Sequence, residues 1–490
     1  MSLRERLGLG AGGGGGGEKA LTTTAPSGAP DSVMPPPDDE AITRAALSKL
    51  IPTGAVPAPV DANPAATRAY QQLKSQVHQQ VLRRLDIEAL DRLPPDRLRE
   101  ELRLLVEQLL HEQSIALNAS ERRALVTEIQ NEMLGLGPIE PLLQDPSVSD
   151  ILVNTFQQVY VERMGKLELT NIAFADNAHL MKIIDKIVSR VGRRVDESSP
   201  MADARLDDGS RVNVIIPPLA IDGPILSIRR FSATPLQMSN LLGFKSLSEE
   251  MALFLAAAAE AKVNIVISGG TGSGKTTLLN ILSGYVPTNE RIVTIEDAAE
   301  LQLQQPHVVR LETRPANIEG RGEINQRALV RNALRMRPDR IVLGETRGPE
   351  ALDMLQAMNT GHEGSMTTIH ANTPRDALAR LESMVAMAGV DLPARAARSQ
   401  IASAIGVIVQ VNRLTDGTRR LTSVTEIAGM EGDVITMQEL FVFKQTGVAA
   451  NGVVQGHFTA TGVRSKLWDK LVSKGIHLPE RLFEPVKHNV

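Results

Sequence analysis

The sequence predicts an α/β fold: a parallel sheet covered by helices, preceded by a smaller α+β module and a small helical bundle. Three observations carry this. Between residues 240 and 445, short apolar β-prone runs alternate with helical patterns, as strands and crossover helices do in parallel sheets. Residues 150–235 hold several strand-like runs around a single helical one. Residues 65–145 show helical spacing alone.

The N-terminal stretch, residues 1–64, contains the glycine run Gly12–Gly17 and the triplet Pro35-Pro36-Pro37 among small and acidic residues. It offers too little apolar surface to offset its ordering entropy, so a disordered tail is expected, as a tether or a partner-binding segment. From Ala65, Leu73, Val77, Val81 and Leu85 recur at helical spacing, and Pro94-Pro95 stops the run. A second helix carries Leu98, Leu102, Leu105 and Leu109. A third starts at Asn118 with Glu121 three residues on, a capping box, and continues through Leu125, Ile129 and Met133. This gives a three-helix bundle over 65–145.

The α+β module is expected over 146–235. Ile151-Leu152-Val153, Val159-Tyr160-Val161 and Leu167-Glu168-Leu169 read as strands, with Met164-Gly165-Lys166 as a turn. His179 to Val191 reads as an amphipathic helix. Asp207-Asp208-Gly209-Ser210 is a hairpin signal between two strands, and Leu226 to Phe231 is a further strand. In 236–445 the strands are Asn264–Ser268, Ile292–Ile295, Val308–Leu311, Ile341–Leu343 and Met366–Ile369. Helices begin near Lys275, Glu323, Pro349 and Pro374. After Val390 only strands are expected, as an antiparallel addition, and 446–490 is a C-terminal segment with one helix near Trp468.

Composition narrows the functional classes. The 490 residues are 42% hydrophobic but only 3% aromatic, so the cores are aliphatic. With 53 basic and 57 acidic residues, the net charge of −4 argues against direct binding of nucleic acid or an electrostatic membrane surface. The absence of cysteine excludes disulfides and thiolate metal sites, and fits a cytoplasmic location. The apolar run Met251–Ala259 is half the length needed to span a bilayer, and the N-terminus has no apolar signal core. A membrane role is therefore expected to act through partners.

The chemistry centres on Gly269, Gly270, Thr271, Gly272, Ser273, Gly274, Lys275, Thr276 and Thr277, which follow an apolar strand and open a helix. Gly269 to Thr276 fits G-x-x-x-x-G-K-[ST], a phosphate-binding loop. Glycines let backbone N–H groups approach phosphate oxygens at the positive end of the helix. Lys275 would reach the β- and γ-phosphates and Thr276 would hold magnesium. Three later strands end in polar residues: Ile292–Ile295 in Glu296-Asp297, Ile341–Leu343 in Gly344-Glu345, and Met366–Ile369 in His370. In open α/β sheets ligands bind outside the carboxyl ends of the strands, so all three are expected to face the loop.

Gly269–Thr277, RIVTIEDAAEL (291–301), MRPDRIVLGETR (336–347) and GHEGSMTTIHANT (361–373) stand in the order of the Walker A, Asp-box, Walker B and His-box motifs. In this the chain resembles the secretion ATPase superfamily, which includes motors of type II and type IV secretion and of type IV pili. Asp203–Asn213 (DARLDDGSRVN) and Leu226–Phe231 (LSIRRF) look like its CpaF/TadA branch, which serves tight-adherence (Flp) pili. The resemblance implies a RecA-like P-loop NTPase motor domain preceded by a PAS-like α+β module, and a homo-hexamer that uses ATP and Mg2+. It implies that Glu296 polarises the attacking water, that Glu345 helps hold magnesium through water, and that His370 senses the γ-phosphate or couples subunits. His362 belongs to the same box. Arginines complete the site in that family, and Arg205, Arg211, Arg229, Arg230 and Arg310 are candidates. Arg327, Arg331 and Arg335 form a stripe, read either as a solvated basic face or as an intersubunit contact.

The function implied is a motor that hydrolyses ATP at the cytoplasmic face of the inner membrane to power assembly of a pilus, with retraction left open, through a platform protein and with a localisation factor for the tail. An ATP-gated scaffold of the apparatus and a type IV secretion or DNA-translocating ATPase are the alternatives.

Overall fold

A computed structural model of the chain describes residues 64–84, 94–113, 115, 117–163, 165–231, 235–316 and 321–489. The expected disordered tail, Leu85 and the turn residue Met164 lie outside the described residues.

The chain forms two compact units, with the division between Ile129 and Gln130. In the first, helices Pro64–Arg84 and Pro95–Glu112 and the start of Ala119–Leu134 bury Val77, Val81, Leu102, Val106, Leu109 and Leu125. All but Val106 belong to the predicted helical stripes; Val106 takes the buried place expected of Leu105, which is half-buried, as are Leu73 and Leu98. The capping box is present: Asn118 Oδ1 accepts from Glu121 N at 2.9 Å, and Glu121 Oε2 accepts from Asn118 N at 3.0 Å. Tyr70 donates to Glu128 at 3.0 Å and Lys74 pairs with it at 3.1 Å, which ties the first helix to the third.

The second unit contains two sheets. Six antiparallel strands form the smaller one: β1 (Val148–Thr155), β2 (Gln158–Arg163), β3 (Lys166–Leu169), β4 (Met201–Arg205), β5 (Arg211–Ile215) and β6 (Ile225–Arg229), in the order β3-β2-β1-β6-β5-β4. Helix Asn177–Arg190 packs Leu180, Ile183, Ile184 and Ile187 into its core. Leu136, Ile139 and Leu142 enter the same core. The structure thus places residues 130–145 with this module, not with the bundle expected to run to 145. Two polar ties fix them there: Glu132 to His179 at 2.9 Å, and Lys186 Nζ to the carbonyls of Met133 and Gly135 at 3.0 and 2.7 Å.

The larger sheet has ten strands: β7 (Ile265–Gly269), β8 (Ile292–Glu296), β9 (Val308–Glu312), β10 (Arg340–Leu343), β11 (Met366–Ile369), β12 (Val407–Arg413), β13 (Arg419–Glu431), β14 (Val434–Val448), β15 (Val454–Ala460) and β16 (His488–Asn489). Their order is β16-β15-β14-β13-β12-β7-β11-β10-β8-β9. From β12 through β9 every pair is parallel; from β12 to β16 every pair is antiparallel. Side chains alternate between two helical layers. Ile265 and Ile267 point into one core and Val266 into the other, so β7 is buried on both faces. The apolar run Met251–Ala259 lies in helix Glu249–Glu260, buried all round, which explains its composition without a membrane.

Two further expectations differ from the structure. A helix, Ala394–Ala404, follows Val390 where only strands were expected; its alanine-rich face buries Ala397, Ile401 and Ala404. Residues 446–490 are integral to the larger sheet: β15 and β16 extend it, and Leu471, Leu478, Leu482 and Phe483 join its core. Phe483 packs 5.5 and 5.9 Å from the rings of Phe441 and Phe254. Four apolar side chains spread over 13 residues leave little periodic signal.

Candidate active site

Strand register brings the polar ends together. Ile369 pairs with Ser268, which sets His370 beside Gly269; Leu343 pairs with both Ile295 and Thr367, which sets Gly344 between Glu296 and Thr368. Thr368 Oγ1 donates to Gly344 O at 2.7 Å and locks the strand ends.

The loop after β7 needs its glycines. A Cβ on Gly269 would collide with Val411 O, and Gly272 and Gly274 have φ of +67° and +99°. Lys275 opens helix Lys275–Ser283. Its Nζ donates to Gly270 O at 2.9 Å and lies 3.4 Å from His370 Nε2. Burial lowers the Lys275 pKa, and the Glu345 charge opposes that shift. A buried ammonium at a helix N-terminus beside freed backbone amides is an anion cradle.

Glu345 is the hub. Its Oε1 is 3.0 Å from His370 Nε2, and its Oε2 accepts from Arg347 at 2.6 Å. Arg347 also lies 3.6 Å from Asp297. Lys275, His370, Glu345, Arg347 and Asp297 therefore form one chain of contacts across four strand ends. The His370 pKa is lowered, first by burial and then by Lys275 and Arg347, against the pull of Glu345. A single ring nitrogen can donate to Glu345 or accept from Lys275, so the His370 proton decides which link is made.

Glu296 is different. It is buried, its Oε2 accepts from Glu300 N and Leu301 N at 2.7 and 2.9 Å, and its buried Oε1 has no partner. Burial pushes its carboxyl up to about 7, against those two hydrogen bonds and the nearby Arg310 charge. Glu296 Cγ would be 2.8 Å from a Cβ on Gly344. This contact explains the glycine before Glu345: a larger residue there would displace Glu296.

The candidate arginines separate. Arg205 pairs with Glu312 at 2.9 Å, and Arg211 approaches Glu300 at 3.9 Å, so both reach from the α+β module to the region after Glu296. Arg229 pairs with Asp150 at 3.3 Å within its own module. Arg230 donates to the carbonyls of Asp145 and Val148, a local structural role. Arg310 donates to Ala299 O at 3.4 Å. In the Arg327, Arg331 and Arg335 stripe, Arg327 and Arg331 both donate to Asp353 at 2.7 Å, while Arg331 and Arg335 stay exposed. His362 precedes β11, at the opposite end of the strand from His370, and its carbonyl accepts from Ser365.

Sequence reasoning missed Arg347, Arg413 and Arg419. Arg419 Nε donates to Gly272 O at 2.9 Å, and Arg413 Nη1 lies 3.6 Å from the Cβ position of Gly272. Both flank the hairpin turn Leu414–Thr418. Only the pairing of β12 with β7 brings that turn to the loop.

Fold and site together define a phosphate-loop α/β protein with acids at adjacent strand ends. Residues 132–463 match the family described as type II/IV secretion system protein, and residues 70–134 the N-terminal domain of type II secretion system protein E. The chain belongs to the type II/IV secretion system protein family. A Mycobacterium tuberculosis protein named for conjugal transfer is 39% identical over 324 residues, covering 65% of this chain and 92% of the relative. The conjugal transfer protein TrbB of Rhizobium radiobacter is 34% identical over 291 residues, 59% of this chain and 86% of TrbB. Among solved structures, the VirB11 ATPase of the Brucella suis type IV secretion system, in complex with sulphate, is 31% identical over 59% of this chain and 94% of its own, with a TM-score of 0.32. The pilus retraction motor PilT with bound ADP is 21% identical over 62% and 81%, with a TM-score of 0.44.

Proposed function

We propose that this chain is an ATP hydrolase that powers assembly of a tight-adherence (Flp) pilus. One observation supports the hydrolytic reading above others: an unpartnered buried carboxylate oxygen, on Glu296, stands beside the strand end that carries Glu345, and Glu345 is linked through His370 to the phosphate-loop lysine. The residues fit a nucleoside triphosphate with magnesium. The glycine cradle admits phosphate oxygens, and buried Lys275 regains a counter-charge.

When bound, the triphosphate and its magnesium supply the phosphoanhydride bond and much of the charge neutralisation. Gly272, Ser273 and Gly274 present backbone N–H groups, and Lys275 exchanges its bond to Gly270 O for a phosphate oxygen. Thr276 and Glu345 would hold the metal. Glu296 Oε1 takes a hydrogen bond from water and then its proton; a pKa near 7 suits a general base at neutral pH. His370 stands where movement of Lys275 toward phosphate would be felt at Glu345.

Asp203–Asn213 and Leu226–Phe231 support the pilus branch, with a cytoplasmic homo-hexamer acting through an inner-membrane platform protein. Among the described residues no helix is long and apolar enough to cross a membrane. The names of the relatives favour a second reading, substrate transfer in a type IV secretion or conjugation apparatus. Phosphate release by purified protein tests the chemistry: Lys275→Ala should abolish it, and Glu296→Gln should leave only a residue. Full activity in either variant sinks the mechanism. Cells carrying Glu296→Gln separate the branches, since loss of pili with intact DNA transfer supports the first and the converse the second.

A further inference from the structure

The β2–β3 hairpin of the α+β module reaches the phosphate loop through two arginines of the motor domain. Glu162, at the end of β2 and largely buried, lies 3.9 Å from Arg413 Nη1 and 3.9 Å from Arg419 Nη2. Arg413 also donates to Gly165 O in the turn between β2 and β3. Arg419 donates to Gly272 O, and its Cδ lies 3.5 Å from the Cβ position of Gly274. One carboxylate thus faces two guanidinium groups that stand against the glycines of an anion cradle.

We propose that Glu162 is an intramolecular competitor of the nucleoside triphosphate for Arg413 and Arg419. Both ion pairs are loose, both arginines are about one-third to two-fifths exposed, and each is otherwise held by a backbone carbonyl, Gly165 O for Arg413 and Gly272 O for Arg419, so neither is fixed by Glu162 alone. Guanidinium binds phosphate oxygens as a two-pronged donor, and a triphosphate carries several charges where Glu162 carries one. Arrival of the triphosphate draws the arginines onto the loop and leaves Glu162 facing a like charge. The β2–β3 hairpin is then released from the loop. At the other edge of the site Arg205 and Glu312 are in direct contact at 2.9 Å, so the module stays attached there. Glu162 is a positioning residue: it sets how much of the nucleotide's binding energy is spent on moving the module.

This inference rests on the ATP-hydrolase reading and is tested in the full-length chain. Glu162→Gln should lower the KM for ATP three- to tenfold, on the order expected for two partly exposed ion pairs, with kcat held within twofold. Glu162→Asp should restore the wild-type KM. The chain has no cysteine, so paired cysteines replacing Lys166 and Thr415, which is exposed in the turn between Arg413 and Arg419, can carry spin labels without background. The label distance should lengthen when wild type binds a non-hydrolysable ATP analogue, and should already be long in nucleotide-free Glu162→Gln. A hydrolysing wild type whose KM and label distance are unchanged by Glu162→Gln overturns the competitor alone. A wild type that neither binds nor hydrolyses ATP overturns the nucleotide reading and this inference with it.

Discussion

Two buried charges lie at opposite edges of the same parallel sheet. Arg340 opens β10 and is fully buried, and Glu296 closes the neighbouring β8. Arg340 is satisfied all round. It donates to Glu290 at 2.5 Å, to Ala259 O at 2.5 Å and to Gly364 O at 3.4 Å. Glu296 has one oxygen satisfied by two backbone N–H groups and the other by nothing. Burial alone therefore does not mark function. What separates the two side chains is unfinished hydrogen bonding: Arg340 is complete without a ligand, while Glu296 leaves an acceptor for one.

The largest effects come from breaking each side. Glu296→Ala should reduce ATP turnover by about 10²–10⁴-fold, the usual value of a positioned general base. It should leave the fold intact, because it frees two backbone N–H groups, of Glu300 and Leu301, but strands no buried charge. Arg340→Ala should do the reverse. It strands buried Glu290 and should cost about 3–5 kcal/mol in denaturant unfolding. Lys262, 3.7 Å from Glu290, keeps the loss toward the lower end. If Arg340→Ala proves harmless while Glu296→Ala unfolds the chain, the contrast is reversed.

The next effect sharpens the contrast through pH. The Glu296 carboxyl is raised from its ordinary 4.5 to about 7, so the folded state holds its proton more tightly than the unfolded state does. The stability this provides is fully present below 4.5 and is lost as pH rises through 7. Glu296→Gln, which cannot ionise, should therefore match wild type near pH 4.5. It should be more stable by about 2–3 kcal/mol at pH 8. The kcat/KM of wild type should climb with pH through about 7 as the base ionises. Chemical denaturation at the two pH values checks the first point. A difference that does not grow with pH means that Glu296 is not the strained charge.

These features were unequally legible in the sequence. The loop, Glu296, Glu345 and His370 were readable because each follows an apolar run, and parallel pairing puts such ends on one edge. Arg347 stood within a quoted motif, but its role required the position of Asp297. Arg413 and Arg419 lie more than 130 residues after the loop, and only the β12–β7 pairing brings them to it. The C-terminal core residues were hidden for a related reason: Phe483 packs on Phe254 and Phe441, and no local pattern encodes so distant a contact. Helix Ala394–Ala404 was missed because its buried face is mostly alanine, which gives almost no hydrophobic period.

The smallest effect concerns a pair of charges between these extremes. Asp353 is 9% exposed and accepts from two arginines, Arg327 at 21% exposure and Arg331 at 59%. The two contacts have the same length, 2.7 Å, so geometry alone ranks them equal. Solvent does not. Removing Arg331 leaves Asp353 paired with the more buried arginine, and exposed pairs contribute about 0–1 kcal/mol. Arg331→Ala should therefore cost less than about 1 kcal/mol, whereas Arg327→Ala removes the inner partner and its bond to Ala388 O at 3.0 Å. It should cost more, about 1–3 kcal/mol. Urea midpoints of the two single variants measure the order. Equal losses would show that distance, and not the completeness of burial, sets the value of a charge in this sheet's outer layer.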